Sequence, residues 1–203
     1  MSHETATPPD RGRWHSRGYL PHFDRSELLQ FITCHLAGSL PKRVLQRWKA
    51  ELPNQDLVEE QILLQRRIEK YLDQGYGAAY LKQPSLAWMV QNSLLHFDGE
   101  RYRLSAWVVM PNHVHLLATA LPGHSLSELM HSIKSYTAHE ANKLLRRTGQ
   151  FWIEDYFDRY IRDVEHFSNT IRYIENNPVK AKLCAKPEDW PFSSAWFRAR
   201  RKK

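Results

Sequence analysis

The sequence predicts an α+β protein: a ferredoxin-like antiparallel sheet with helices packed on one face, an enlarged first crossover and a C-terminal helical extension. Three observations predict it. Hydrophobic spacing switches between the period of strands and that of helices in the order strand, helix, strand, strand, helix. Two adjacent strand-like runs meet at Pro111-Asn112, a dipeptide suited to a tight hairpin turn. With 203 residues, 42% of them hydrophobic, the chain can enclose a substantial core in one domain.

Each element has its own local signal. Leu28 to Ala37, rich in Phe, Ile, Thr and Leu, reads as the first strand. From Pro41 to about Tyr80 the pattern is helical, with Leu57, Ile62, Leu63, Ile68 and Leu72 on the apolar stripe, and it stops at Gly75 and Gly77. A shorter helix is expected from Lys82 to Phe97. The Asp98-Gly99 turn leads into a strand from Tyr102 to Met110, and His113 to Leu121 forms its hairpin partner. Ser125 followed by Glu128 is a capping-box pattern that starts a helix running to about Arg147. Tyr156 to Ile161 is a candidate edge strand. Val164 to Asn176 is a last helix, expected to break at Asn177-Pro178.

Composition narrows the function classes. The formal charge of +7 favours a polyanionic partner. Two cysteines, Cys34 and Cys184, neither in a CxxC pair, exclude a disulfide framework and a thiolate zinc centre, and fit a cytoplasmic location. No apolar run approaches the ~20 residues of a membrane span. The expected organisation is a flexible polar lead-in over residues 1–16, a single catalytic domain over 17–194 and a basic tail over 195–203.

Chemistry concentrates in VVMPNHVHLL, residues 108–117. Side chains two apart on a strand share a face, so His113 and His115 converge as a pair of imidazoles, the commonest transition-metal ligands. In the following helix Tyr136 and Glu140 are four apart and stack on one flank. Glu140 offers a carboxylate oxygen, and a His, His, carboxylate set suits magnesium or manganese acting on phosphate oxygens, as well as zinc. Tyr136 beside such a Lewis acid can attack phosphorus, with Lys134 screening phosphate charge. Singly, these residues read as strand polarity, a packed tyrosine and solvated charges. Their combination carries the expectation.

Beyond that point several segments in series, MPNHVHLL, SIKSYTAHEANKLL, GQFWIEDYFDRYIRD, RYIENNPVKAKL and WPFSS, resemble the REP-associated tyrosine transposases. These are relatives of insertion-sequence transposases that use a histidine-hydrophobic-histidine motif and a single tyrosine. The similarity runs from about Arg17 to Ser194. The resemblance implies a ferredoxin-like fold and Mg2+- or Mn2+-dependent cleavage and joining of single-stranded, palindromic hairpin DNA through a 5′-phosphotyrosine. It assigns His113 and His115 to the metal and Tyr136 to the nucleophile. In relatives the residue one turn after the tyrosine, usually an amide, is a further metal ligand; the corresponding residue here is Glu140. It implies a monomer or a homodimer.

The basic side chains Arg159, Arg162, Arg172, Lys180 and Lys182, interleaved with Trp152, Tyr156, Tyr160 and Tyr173, combine phosphate contacts with stacking surfaces. Hydrolases with three alternating histidines on one strand are disfavoured, because the third position is Leu117. The competing reading is a non-catalytic, sequence-specific binder of repeated palindromic DNA.

Overall fold

The computed structural model describes residues 13–16, 21–24, 27–52 and 57–201. Two short strands, β1 (Arg13–Ser16) and β2 (Pro21–Asp24), pair antiparallel, so the expected lead-in already holds a strand before residue 17. The rest of that lead-in, like Lys202 and Lys203 of the expected tail, lies outside the described residues.

The main sheet contains β3 (Leu29–His35), β4 (Tyr102–Val109), β5 (His113–Ala120) and β6 (Phe157–Tyr160) in the order β4-β5-β3-β6, every pair antiparallel. This is the ferredoxin-like arrangement: the first strand sits inside, between the hairpin and the last strand. The β4–β5 hairpin turns at Pro111-Asn112 as expected, and register places Thr33 opposite His115 and His35 opposite His113.

The first crossover contains α1 (Lys42–Glu51), α2 (Leu57–Asp73) and α3 (Pro84–Leu95). The single helical stretch expected from Pro41 to Tyr80 is therefore two helices. Leu52 precedes Pro53 and adopts an extended conformation (φ −77°, ψ 138°), which the proline ring favours over the helical one. Next come α4 (Leu126–Leu144), capped by Ser125 Oγ accepting from Glu128 N at 3.2 Å, and α5 (Val164–Lys180), capped by Asp163 accepting from His166 N at 2.7 Å. The basic segment after residue 194 is helical, as α6 (Ser194–Arg201).

The helix expected to break at Asn177-Pro178 continues through Pro178 to Lys180. Proline removes one amide donor, but near a helix end that loss is small. Ala181 N still donates to Asn177 O at 3.0 Å, and Lys182 closes the helix at φ 58°.

Alternation along the strands separates two cores. On one face Ile32, Cys34, Val114 and Leu116 pack against Leu86, Val90 and Leu94 of α3 and Leu129, Met130 and Ile133 of α4. A fully buried leucine such as Leu86 contributes roughly 1.5–3 kcal/mol. On the opposite face Phe31, Ala106, Val108 and Leu117 pack against Ile174 of α5. There α2 also approaches the sheet, its Gln65 and Ile68 lining a small cleft with Thr33 and His35. Among the described residues no helix is long and apolar enough to cross a membrane.

Candidate metal and nucleophile site

His113 and His115 point from β5 to the face that carries α2 and α5, and both are fully buried. Each ring is fixed from behind. His113 Nδ1 lies 2.7 Å from Asn112 Oδ1, and His115 Nδ1 lies 2.8 Å from Thr33 Oγ1. The amide nitrogen of Asn112 donates to two carbonyls, Leu72 O at 3.0 Å and Tyr76 O at 3.3 Å. Its oxygen must therefore face His113, which puts the proton on Nδ1 and leaves a lone pair on Nε2. Burial keeps both rings neutral. It pulls His115 down to about 3, with nearby Lys180 adding to the effect, and pulls His113 well below the usual histidine range, reinforced by His115 and His35.

The two Nε2 atoms are buried without a hydrogen-bond partner. A buried orphan acceptor is costly unless something binds it. His113 Nε2 lies 3.6 Å from Asp73 Oδ1 at the C-terminal end of α2. Asp73, His113 and His115 bring their ligand atoms within 4.8 Å of one another. Burial raises the Asp73 carboxyl pKa, while a hydrogen bond from Asn177 and the charge of Lys180 oppose it. Asn177, fully buried on α5, donates from Nδ2 to Asp73 Oδ1 at 3.2 Å, and its own Oδ1 is a third orphan acceptor beside the set. Two neutral imidazoles, a carboxylate and an amide oxygen form a mixed nitrogen–oxygen set, the chemistry that suits a divalent cation.

One helical turn before Asn177 stands Tyr173. Its ring packs on His115 with centroids 5.4 Å apart and on the edge of Phe31 at 5.8 Å. Its hydroxyl is buried beside the Glu69 carboxylate. Burial raises its pKa strongly, and the carboxylates of Glu69 and Asp73 raise it further. Lys180 sits over the same ring at 4.8 Å. Outside lies an open groove of about 350 Å³ lined by Asn169, Arg172, Tyr173, Asn176 and Lys180.

Tyr136 and Glu140, expected to complete the site, are elsewhere. Both lie on α4, which packs against the opposite face of the sheet. Tyr136 is 56% exposed and lines a groove with Trp88, Phe97 and Ile133. Glu140 faces His139 at 3.8 Å. The reason is the alternation of β5: Val114 and Leu116 face α4, so His113 and His115 must face away from it. Lys134 is likewise on the α4 side, donating to the carbonyls of Glu154 and Asp155. Of the expected basic residues, Arg172 and Lys180 line the groove outside Tyr173, and Arg159 lies over Phe31 at 5.6 Å. Arg162 stacks on Tyr160 at 5.9 Å, and Lys182 is exposed just past α5.

The sequence reading missed Asp73, Tyr173 and Asn177. A signal for two of them was present in RYIENNPVK, where a tyrosine precedes an amide by four residues, the spacing the resemblance calls for.

The chain is similar to known proteins in part of its sequence and in its fold. Residues 95–177 match the family described as IS200-like transposases, a span that includes His113, His115, Tyr173 and Asn177 but not Asp73. Over 108 residues the chain is 27% identical to the REP-associated tyrosine transposase of Escherichia coli (strain K12); the match covers 52% of this chain and 62% of that protein. A solved structure of a REP-associated tyrosine transposase bound to a REP hairpin superposes with a TM-score of 0.60 at 18% identity, covering 89% of this chain and 84% of that one. The chain is thus similar in fold to a REP-associated tyrosine transposase and, over residues 95–177, similar in sequence to the IS200-like transposases, while spanning less than two thirds of the curated relative it matches.

Proposed function

We propose that the protein cleaves and rejoins single-stranded DNA bearing a palindromic hairpin, with Tyr173 as nucleophile and a divalent cation, Mg2+ or Mn2+, held by His113, His115, Asp73 and Asn177. The observation that carries this reading is the convergence of three buried, unpartnered acceptors, His113 Nε2, His115 Nε2 and Asn177 Oδ1, with the half-buried Asp73 carboxylate, beside the ring of Tyr173.

When bound, the cation supplies positive charge to polarise the phosphodiester. The chain's own residues supply the rest. Arg172 and Lys180 hold the strand in the groove outside the helix, and the charge of Arg159 opposes the rise of the Tyr173 pKa. Tyr173 Oη gives up its proton as it attacks phosphorus, the bond to the 3′ oxygen breaks, and the leaving oxygen takes up a proton in exchange. The products are a 5′-phosphotyrosine and a 3′-hydroxyl. The 3′-hydroxyl can attack the phosphotyrosine in reverse and restore a strand, which is how one tyrosine both cuts and joins.

The test is incubation with a labelled single-stranded hairpin oligonucleotide and Mn2+, followed by denaturing electrophoresis. A covalent protein–DNA adduct that requires Tyr173 and disappears on chelation is expected. Hairpin binding with no adduct at any metal concentration would instead support the non-catalytic reading.

A further inference from the structure

We infer that Asn112 is a positioning residue that makes the seating of α2 and the presentation of His113 a single event. The inference rests on the reading of His113 and Asp73 as ligands of one cation.

Asn112 is 1% exposed, and its backbone oxygen and both ends of its side-chain amide are committed. Its backbone oxygen accepts from Leu36 N at 2.9 Å, fixing it to the end of β3. Its side-chain oxygen takes the Nδ1 proton of His113. Its side-chain nitrogen donates to Leu72 O, a carbonyl in the last turn of α2, and to Tyr76 O just beyond that helix. The last carbonyls of a helix have no partner within it, so Asn112 caps α2 from the side. The residue after Leu72 is Asp73, so the capped turn is the one that carries the carboxylate.

The neighbouring chain is equally constrained. Gly77 approaches the backbone of Gly38 and Ser39 so closely that a Cβ there would lie 2.4 Å from Gly38 O, and Ala78 N donates to Gly38 O at 3.0 Å. The loop after α2 is thereby pressed onto the end of β3, beside the turn that holds Asn112.

An amide with two functions can rotate only by losing both. If α2 lifts, the Asn112 nitrogen loses its acceptors, the amide is free to flip, and the His113 proton is no longer fixed on Nδ1. If His113 turns, the cap on α2 loosens and Asp73 moves with it. Two ligands more than thirty residues apart in sequence therefore respond to one side chain.

Two measurements decide this. In the metal-free protein, long-range 15N spectra of the imidazoles are expected to give a single Nδ1–H tautomer for His113. In Gly77→Ala, whose Cβ would meet Gly38 O at 2.4 Å and so push the loop carrying Tyr76 O away from Asn112, a tautomer mixture is expected; an unchanged tautomer in a folded Gly77→Ala protein would overturn the inference. Mn2+ affinity, read by calorimetry, forms the second arm. Asn112→Asp keeps the acceptor for His113 but cannot donate to Leu72 O and Tyr76 O. It is expected to weaken Mn2+ binding at least about tenfold in the native background and less than about threefold in an Asp73→Ala background. Equal losses in the two backgrounds, or none in either, would mean that Asn112 acts on His113 alone. If the native protein takes up no Mn2+, the metal reading falls, and the tautomer measurement still decides the role of Asn112.

Discussion

The rings of Tyr173 and His115 lie 5.4 Å apart on the face of the sheet away from α4, so α5 brings the proposed nucleophile beside the histidine pair. Tyr173→Phe removes the hydroxyl and keeps the packing. It is expected to abolish the covalent DNA adduct, at least about a thousandfold in rate. Tyr136→Phe, on the opposite face, is expected to leave the rate within about twofold. Adduct formation in Tyr173→Phe, or its loss in Tyr136→Phe, would return the assignment to α4.

Asp73 is the charged member of the donor set, and Asn177 orients it at 3.2 Å. Asp73→Asn and Asn177→Ala are each expected to weaken Mn2+ binding by at least about tenfold, roughly 1.4 kcal/mol, measured by titration calorimetry. Glu140→Gln, half-buried beside His139 on the opposite side of the sheet, is expected to leave the affinity unchanged.

Acid should destabilise the metal-free protein in a defined window. Burial pulls His35 down to about 4, with Lys134 adding to the effect and a backbone hydrogen bond at Leu36 opposing it. An unfolded histidine titrates near 6.5, so on acidification the unfolded chain takes up a proton before the folded one. The stabilisation is complete above about pH 6.5 and is lost as pH falls through about 4. His113 and His115, also depressed by burial, act with the same sign. The melting temperature is expected to be flat from pH 8 to 7 and to fall steadily below pH 6.5. His35→Asn should make that fall shallower.

Ile174 is fully buried and anchors α5 against Phe31 and Leu117. Ile174→Ala is expected to cost about 2–5 kcal/mol in urea unfolding. Because Tyr173 is its neighbour, the same change should also reduce the rate of adduct formation under conditions where the protein remains folded. A variant that is destabilised yet fully active would uncouple this packing from the site.

The groove outside Tyr173 should be read by its salt dependence. Arg172→Ala and Lys180→Ala are each expected to lower the slope of log affinity against log salt for single-stranded DNA by about 0.7. An unchanged slope would move the strand to another surface.

The sheet, the hairpin and the two core-facing helices α3 and α4 were legible because each has one clean hydrophobic period. So was the aim of His113 and His115 at a common point, since alternation along a strand fixes it. Which face they share was not legible, because Val114 and Leu116 are as apolar as the surroundings of the histidines. That ambiguity placed Tyr136 and Glu140 at the site. Pro178 compounded it: read as a helix stop, it separated Asn177 from Tyr173, whereas the helix absorbs the proline in its last turn. Asp73 was unreadable for another reason. Nothing local in α2 distinguishes its terminal carboxylate from a solvated one until Asn112 and Asn177 close on it from distant parts of the chain.

The donor set has one carboxylate beside two neutral rings and an amide. A dication seated there would keep half its charge uncompensated, and a phosphodiester brings the single negative charge that balances it. The loaded site would therefore favour an anionic ligand such as a phosphodiester over a neutral one.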